Sequence, residues 1–421
     1  MQPIFNEQIK MWSDLGYPLP IEEGTYWYDN HFICAFDMGG VRHKLYRYKV
    51  FDDLSIEIKP YEKCKGEVVF ETWNQTVSRM SEEINEKSSH AMSVICKAIQ
   101  DYPKHKKVVF TSTGKDSMVA LDLVKHILPD IEVYFNNTSL DTGDTYKMAK
   151  QHEDWTIINP EIGFYQYVKQ ARFIPTRFSR GCCTLFKENS TIKYFNGESS
   201  ILYFMGVRND ESNTRADRQD ISHNPKWSNR DWFSCLPIRT WSEFDVWLYI
   251  LKHKLEINPK YRKGYTRVGC SVACPYYTKY TWVLDKYWYR KMYDRWRDIL
   301  YKHFIQERRW TKLNCTLEEY VKNGWCGGLY RPEPNDKVIQ EFMDYKGLTD
   351  KAIALQYFNK TCCICNKNVR QNETLAMNLK LLGRNTNKIY CKKHLQELNG
   401  ISNQDWDNAV TDFTRQGCVL F

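Results

Sequence analysis

The alternation of apolar and polar positions predicts one long helix followed by a region of short strands and helices. The helix spans Ser81 to about Tyr102, where apolar side chains recur among charged ones with helical spacing at Ile84, Met92, Ile95 and Ile99. Between Lys107 and about Val207, apolar segments alternate with helical ones, and the strands are Val108–Phe110, Ile131–Phe135, Thr156–Ile158 and Ile201–Met205. This order predicts an α/β fold with a parallel sheet flanked by helices, which binds ligands beyond the carboxyl ends of its strands.

The pattern also predicts a division into three parts. Residues 1–85 mix aromatic and charged side chains without a site motif and form an N-terminal extension whose role the sequence does not reveal. Residues 86–310 form the central α/β domain, and 311–421 form a C-terminal region with a small module at about 355–400. Two prolines among polar residues mark a linker at Arg331–Asp336.

Composition narrows the classes of function. The 421 residues are 42% hydrophobic, which suffices for more than one core, and the N-terminus lacks the apolar stretch of a signal peptide. No segment approaches the roughly 20 apolar residues of a membrane helix, so we expect a soluble cytoplasmic protein without a membrane partner. The net charge of +9 favours anionic partners, either a phosphate-rich small molecule or a nucleic acid. The fifteen cysteines cluster in pairs, which indicates metal or redox chemistry.

The first predicted strand runs into a polar loop with the features of a phosphate site. A helix starts at or near the end of this loop, so free backbone N–H groups and a helix N-terminus face an anion. The spacing is not that of a Walker A loop. The alternative is a helix-capping turn without catalytic meaning. The predicted ligands are Ser112, Thr113, Gly114, Lys115, Asp116 and Ser117.

The Ser-x-Gly-Lys-Asp-Ser loop resembles the pyrophosphate loop of ATP pyrophosphatases. Further blocks follow over roughly residues 90–280 in the order found in phosphoadenylyl-sulfate reductases, a family with an adenine nucleotide alpha hydrolase-like fold. These blocks are Phe135–Thr142, Cys182–Lys187, Gly206–Ser212 with Arg215, Trp241–Tyr249 and Asn258–Cys270. The chain looks closer to the DNA phosphorothioation-type relatives of this family than to its assimilatory reductases.

The resemblance implies a site for ATP or an adenylyl sulfate, with Mg²⁺ as a further expected cofactor. It implies that Lys115 and Asp116 are catalytic and that Lys187 and Glu211 bind substrate. Arg208 and Arg215 are expected to bind phosphate or sulfate, because the planar guanidinium makes bidentate contacts with such groups. The alternative for each arginine is a solvated surface residue.

Relatives that reduce adenylyl sulfate hold a [4Fe-4S] cluster with a Cys-Cys pair and a later Cys-x-x-Cys pair. The corresponding thiolates here are Cys182, Cys183, Cys270 and Cys274. Three residues separate Cys270 from Cys274, one more than in the family, so the alternative is a set of buried thiols without a cluster.

A second set of ligands stands near the C-terminus. Two pairs, Cys362-x-x-Cys365 and Cys391-x-x-His394, supply the four corners of a tetrahedral zinc site, and Cys363 is a spare or alternative ligand. Because the module is too short for a large core, zinc is expected to contribute much of its folding energy. Coincident cysteines are the alternative.

Assimilatory reductases of the family place a nucleophilic cysteine in a C-terminal Glu-Cys-Gly-Leu-His-like motif, which this chain lacks. Cys418 occupies a similar tail position, and Cys326 is a second candidate, although neither shows the activating neighbours that a thiolate needs.

A further basic and aromatic stretch at Lys286–Trp310 predicts either nucleic-acid contacts or an ordinary helix with its aromatic residues in the core.

Three hypotheses follow. The first is an ATP-using enzyme that carries out adenylylation or sulfur transfer with a sulfur donor, with DNA or RNA as a candidate acceptor. The second is assimilatory reduction of an adenylyl sulfate to sulfite with a thioredoxin-like reductant. The third is a noncatalytic nucleotide-sensing regulator that binds nucleic acid.

Overall fold

The chain divides into two compact units in the computed structural model. The first comprises residues 1–300 with 325–327, and the second comprises 301–324 with 328–421. The structure describes all residues except 62–67, 180, 212–217, 224–229, 271, 308, 323, 328–332, 359–360, 368, 370–371, 383–385, 387 and 416–421. The three-part division by motif stays a prediction.

The N-terminal residues form a five-stranded antiparallel sheet. Its strands, in spatial order, are β1 (Gln2–Pro3), β2 (Trp27–Asp29), β3 (Phe32–Phe36), β4 (Arg42–Val50) and β5 (Ile56–Pro60). One face carries buried apolar side chains such as Ile33, Tyr48 and Ile58, which pack with Tyr280 and Leu284 of a later helix. This sheet is therefore part of the first unit's core.

A six-stranded sheet forms the centre of the first unit. Its strands are β6 (Lys106–Thr111), β7 (Glu132–Asn136), β8 (Trp155–Ile158), β9 (Ser200–Phe204), β10 (Ile221–His223) and β11 (Asp231–Cys235). The spatial order is β10-β11-β9-β6-β7-β8, and all pairs are parallel except β10 with β11. The predicted parallel α/β sheet is thus confirmed, with an antiparallel strand at one edge.

Helices cover both faces of this sheet. Val109 of β6 packs in one apolar cluster and its neighbour Val108 in another, so the central strand is buried on both sides. The helices of the first unit are α1 (Asn6–Asp14), α2 (Trp73–Arg79), α3 (Ser81–Asp101), α4 (Lys115–Lys125), α5 (Gly143–Gln151), α6 (Phe164–Ala171), α7 (Gly181–Cys183), α8 (Asn189–Tyr194), α9 (Glu243–His253), α10 (Pro259–Arg262) and α11 (Lys279–Trp288).

The second unit is helical in its described residues. Helix α12 (Arg290–Gln306) contains the boundary between the units, and the helices that follow are α13 (Arg309–Leu313), α14 (Leu317–Lys322), α15 (Asp336–Lys346), α16 (Lys351–Phe358), α17 (Asn372–Leu381), α18 (Lys392–Asn399) and α19 (Asn403–Arg415). Across the described ranges, no helix has the length and apolar character needed to span a bilayer.

Candidate functional site

The predicted phosphate loop connects β6 to α4 and is held by its own side chains. Helix α4 begins at Lys115, two residues before the predicted start, with Gly114 as its N-cap. Thr113 has a left-handed backbone with φ of 58° and is fully buried. The Ser117 hydroxyl accepts from the backbone N–H of Ser112 at 3.2 Å and donates to the carbonyl of Gly114 at 2.9 Å. The loop is therefore fixed in one shape around Ser117.

A second segment, Asn258–Tyr261, holds the loop from outside. The amide of Asn258 donates to the Thr113 hydroxyl at 2.7 Å, and the backbone N–H of Lys115 donates to the Tyr261 hydroxyl at 2.9 Å. Asn258 and Tyr261 are both buried. Two blocks that lie far apart in the sequence thus meet at the same loop, as the family resemblance implies.

The end of β9 packs directly on the first turn of α4. A Cβ atom at Gly206 would lie 2.1 Å from the backbone oxygen of Asp116, a distance that no side chain tolerates. Gly206 is therefore needed for the close approach of the strand to the helix N-terminus. The carboxyl ends of β6 and β9, which are adjacent parallel strands, both border the loop.

A buried charge network lies behind the loop. The ammonium of Lys115 lies 3.1 Å from Asp116 and 3.3 Å from Glu243, and Asp116 accepts from the guanidinium of Arg208 at 2.5 Å. Burial by itself raises the pKa of Asp116, but Lys115 and Arg208 lower it further than burial raises it. Burial likewise lowers the pKa of Lys115, but Asp116, Tyr261 and Glu243 together raise it further than burial lowers it. These groups are ionised at neutral pH.

Arg208, a predicted phosphate ligand, is also ion-paired with Asp210 and is 4% exposed. The structure shows it bracing Asp116, and its role toward phosphate stays a prediction. Glu211 lies next to this network, where its carboxylate accepts from the backbone N–H of Arg208 at 3.2 Å. Arg215 lies outside the described residues.

The turn after β7 forms another wall of the site. Its residues Thr138 and Ser139 are fixed because the Thr138 hydroxyl donates to Asp141 at 2.6 Å and Ser139 accepts from the backbone of Phe164 at 2.7 Å. Asn136 donates to the backbone oxygen of Lys187 at 2.7 Å. The strand end is thereby connected to the segment that carries Lys187.

A π-helical turn, Thr184–Glu188, separates α7 from α8 and carries Lys187. Such turns are rare and frequently occur at functional sites. Lys187 is exposed to solvent, and its pKa is raised chiefly by Cys270, with Asp141 contributing. Burial raises the pKa of Cys270 to about 11, and Lys187 opposes this rise. Lys187 and Cys270 therefore interact within one solvent-accessible cleft.

The four predicted cluster cysteines lie within electrostatic reach of one another. The pKa of Cys182 is raised first by a hydrogen bond with Cys183, then by burial, with further contributions from Cys270 and Cys274. In the described ranges, these thiols do not converge at the spacing of ligands around a single metal ion. A four-iron cubane holds its thiolates farther apart than one ion does, because iron and sulfide lie between them. The cluster stays a prediction.

Sequence reasoning missed a buried charged pair beside this cleft. Lys260 has no exposed surface, and its ammonium, 4.4 Å from the Tyr265 ring, has no hydrogen-bond partner among the described residues. The Tyr265 hydroxyl donates to Asp285 at 2.6 Å. Burial lowers the pKa of Lys260, although Asp285, Asp141 and Cys270 oppose this change. Nothing in the sequence distinguishes Lys260 from a surface lysine.

Asp285 gives the chain a pH-dependent stability. Burial raises its pKa from 3.8 to about 6, although Lys260 opposes the rise. Between these two values the folded chain binds more protons than the unfolded chain, so the contribution of Asp285 to stability falls as pH rises. Relative to Asp285→Asn, we expect the wild type to lose about 2 kcal/mol of unfolding free energy between pH 4 and 6. Urea unfolding at several pH values measures this difference, and parallel curves for the two proteins would contradict it.

The C-terminal module brings the four predicted zinc ligands together. The sulfur atoms of Cys362, Cys365 and Cys391 and a ring nitrogen of His394 all lie within 4.8 Å of one another. The backbone N–H of Cys363 donates to Ile389 at 2.8 Å, which joins the two halves of the module. Three thiols and one imidazole at this spacing fit a tetrahedral metal such as zinc.

The local backbone favours the thiolate form of these cysteines, which is the form that binds a metal. Cys391 is the N-cap of α18, so both ligands of the second pair lie at a helix N-terminus. Burial alone raises the pKa of Cys362, but backbone N–H groups of Cys391, Cys365 and Ile364 lower it to about 6. The spare thiol, Cys363, is exposed and outside the set.

Of the two candidate nucleophiles, Cys326 and Cys418, the structure describes only Cys326. Cys326 is buried, and its backbone oxygen accepts from Arg177, whose side chain donates to Pro275 next to Cys274. The chain thus places Cys326 in the neighbourhood of the predicted cluster residues. Cys418 lies outside the described residues.

The basic and aromatic stretch at 286–310 is largely an ordinary helical segment. Trp296, Phe304 and Trp310 are buried, whereas Tyr301 is 47% exposed. Three aromatic side chains of this stretch are therefore in the interior, and four others, Tyr287, Trp288, Tyr289 and Tyr293, are half-buried, which favours the second of its two interpretations.

Comparison with known proteins confirms the family resemblance over the central part of the chain. Residues 106–275 match the model of the phosphoadenosine phosphosulfate reductase domain. An uncharacterized protein of Methanocaldococcus jannaschii is 33% identical over 53% of this chain and 46% of its own length. A second one from that organism is 26% identical over 61% and 65%. The chain thus spans about half to two thirds of these relatives.

Adenosine 5'-phosphosulfate reductases are also similar. That of Bacillus mycoides is 27% identical over 48% of this chain and 86% of the reductase. Among solved structures, phosphoadenylyl-sulfate reductase from Candida auris covers 45% of this chain and 94% of its own at 16% identity, with a TM-score of 0.36. The ATP complex of FMN adenylyltransferase from Candida glabrata covers 45% and 62% at 14% identity, with a TM-score of 0.34.

Proposed function

We propose, from the premise that residues 106–275 carry a phosphoadenosine phosphosulfate reductase domain, that this chain is a pyrophosphate-loop enzyme. It binds ATP or an adenylyl sulfate and carries out adenylylation or sulfur transfer. The observation that supports this most is the fixed loop beside a cleft that contains Lys187 and Cys270. The Lys115 ammonium lies 3.5 Å from the carbonyl of Thr266, so the segment leading to Cys270 runs past the loop.

Different residues of the chain bind different parts of the nucleotide. Backbone N–H groups at the start of α4, with the hydroxyl of Ser112, bind the phosphates or the sulfate of the nucleotide. Lys187 binds the anionic group that reacts, because its cation faces the cleft. In adenylylation, an acceptor atom bonds to the α-phosphorus and pyrophosphate leaves with the electron pair of the broken P–O bond. The fixed loop stabilises that leaving group, and Mg²⁺ would neutralise part of its charge.

The four thiols fit a [4Fe-4S] cluster in number and chemical type, and Cys182, Cys183, Cys270 and Cys274 would hold it. Such a cluster would supply electron transfer or electrostatic stabilisation next to the reacting group. The three-residue spacing between Cys270 and Cys274 requires a different local turn from the two-residue spacing of the relatives.

A second candidate is reduction of an adenylyl sulfate to sulfite, which the named activity of the Bacillus relatives favours. In that reaction a thiolate attacks the sulfur, AMP leaves, and a thioredoxin-like dithiol releases sulfite by reducing the enzyme–sulfur bond. The attacking thiol would be Cys418 or Cys326. A nucleic-acid acceptor, as in the DNA phosphorothioation-type relatives, belongs to the first candidate only.

Anaerobic turnover with ATP or a sulfonucleotide tests both candidates. We expect Lys187→Met to lower kcat/KM by about 10²–10³-fold, because a cation that stabilises developing charge is lost. Lys193→Met is the matched control, since Lys193 is solvent-exposed, pairs with Glu161 and lies later in the same helical run. Pyrophosphate or AMP from ATP supports adenylylation, and sulfite lost in Cys418→Ser or Cys326→Ser supports reduction. Absence of turnover with every nucleotide would leave a noncatalytic regulator.

A further inference from the structure

One side of the N-terminal sheet is buried on β2 and β3 but faces solvent on β4 and β5, where strand alternation makes it basic. On β4, Tyr48 is 1% exposed and packs in the core, so its neighbours Arg47 and Lys49 point to the opposite side. On β5, Ile58 is buried and Lys59 is exposed. Arg47, Lys49 and Lys59 therefore share one face, which we call the basic face.

The register of the strands places like charges together on the basic face. Arg47 lies directly opposite Lys59 of β5, an arrangement that destabilises a sheet unless an anion offsets it. Glu57 forms an ion pair with Lys59 at 2.9 Å. Within the described part of the chain, Arg47 and Lys49 have no carboxylate within ion-pair distance. Glu57 lies directly opposite Lys49 on this face, but its carboxylate pairs with Lys59, so two cations of the basic face form no ion pair within the described ranges.

Aromatic rings stand between these cations. Phe32 lies opposite Arg47 on the β3 side, and its ring contacts that of Tyr61 at 4.9 Å. The ammonium of Lys44 lies 4.6 Å from the Phe32 ring, and that of Lys49 lies 4.6 Å from the Phe51 ring. Tyr61 is 51% exposed, although tyrosine on a folded surface usually buries its ring.

We propose that the basic face binds a single-stranded nucleic acid. Its cations lie on two adjacent strands of a twisted sheet, β4 and β5, and a flexible strand can follow this arrangement better than a rigid duplex can. Exposed rings between the cations offer stacking platforms for unpaired bases. The assignment goes beyond the proposed function, because it holds for any reaction at the phosphate loop and gives a role to residues that the sequence left without one.

Binding of fluorescent 20-nucleotide single-stranded DNA and RNA to the full-length protein, followed by anisotropy, tests the proposal. We expect Arg47→Glu/Lys49→Glu to weaken binding at least about tenfold and to reduce the salt slope of log Kobs by about 1.4, or 0.7 for each lost phosphate contact. The control is Lys97→Glu/Lys104→Glu, which changes the net charge equally at two exposed positions on and after α3. This control should bind the strand nearly as well as the wild type.

The ring contribution is tested separately with Tyr61→Ala. Loss of one stacked base should weaken binding about tenfold without changing the salt slope. Equal losses in both double variants, tighter binding of duplex than of single strands, or no binding by the wild type would each overturn the proposal. Nucleotide turnover measured on the same samples should be unchanged by these substitutions, and a wild type without turnover would refute the proposed function while leaving the binding result intact.

Discussion

Asp116→Ala is expected to abolish nucleotide turnover and to lower the free energy of unfolding by about 3–5 kcal/mol. The substitution removes the carboxylate between the two buried cations, so Lys115 keeps only Glu243 and Arg208 keeps only Asp210 as an ion-pair partner. A released Lys115 or Arg208 would also shift toward the phosphate position and disturb the loop. Pyrophosphate or AMP release measures the activity, and urea unfolding measures the stability.

The double variant Asp116→Ala/Arg208→Met separates the two effects. Removing one of the two cations that have lost a carboxylate partner should restore part of the stability, whereas turnover should stay absent. The lowered pKa of Asp116 means that its stabilising contribution is complete above the ordinary value of 3.8 and is lost as pH falls through the lower folded value. An Asp116→Ala protein with wild-type stability and turnover would show that the network is incidental.

Removal of the metal is expected to unfold the C-terminal module in the otherwise intact chain. Among the described residues, its main apolar cluster has only three buried side chains, those of Met377, Leu395 and Trp406, with partly buried ones around them, and Val369 and Ala376 are also buried. So small a core does not offset the conformational entropy of the segment, whereas zinc contributes about 10–16 kcal/mol in zinc-finger peptides. Cys391→Ser should therefore lose the metal and the helical signal of α17, α18 and α19 in circular dichroism.

Cys363→Ser is the matched control, because Cys363 neighbours a ligand but lies outside the ligand set. This variant should retain one zinc per chain and the wild-type thermal transition. Metal analysis of both variants, with and without a chelator, gives the result directly. Retention of one tightly bound zinc in Cys391→Ser would show that a different set of atoms holds the metal.

The sequence predicted those parts of the molecule that depend on local pattern and fixed spacing. Strand ends fell within one or two residues of the observed β6, β7, β8 and β9, since apolar runs of this kind are buried on both faces. The convergence of the four predicted zinc ligands was predictable because two short pairs suffice to define a tetrahedral site. The loop was predictable because a strand, a glycine and a helix start occur in immediate succession.

Contacts between residues that lie far apart in the sequence could not be predicted. Nothing local indicates that the Tyr261 hydroxyl meets the backbone of Lys115, or that Gly206 lies against Asp116. Lysine is usually a surface residue, but Lys260 on α10 is enclosed, with its ammonium 4.4 Å from the Tyr265 ring and 5.8 Å from the Tyr277 ring. The sequence of the N-terminal sheet also contains no motif that reveals its basic face. This face is formed by the pairing of residues across strands, which the order of residues does not show.

The hydrogen bonds that hold the phosphate loop have a thermodynamic consequence. Hydrogen bonds with Ser117, Asn258 and Tyr261 fix the loop before any ligand binds. The loop therefore loses its conformational entropy during folding and not during binding. A nucleotide that enters this site loses its own freedom without having to immobilise the protein. Its association should therefore be fast. The heat-capacity change on binding should be no larger than the buried ligand surface requires, as expected for a preformed site and not for induced fit.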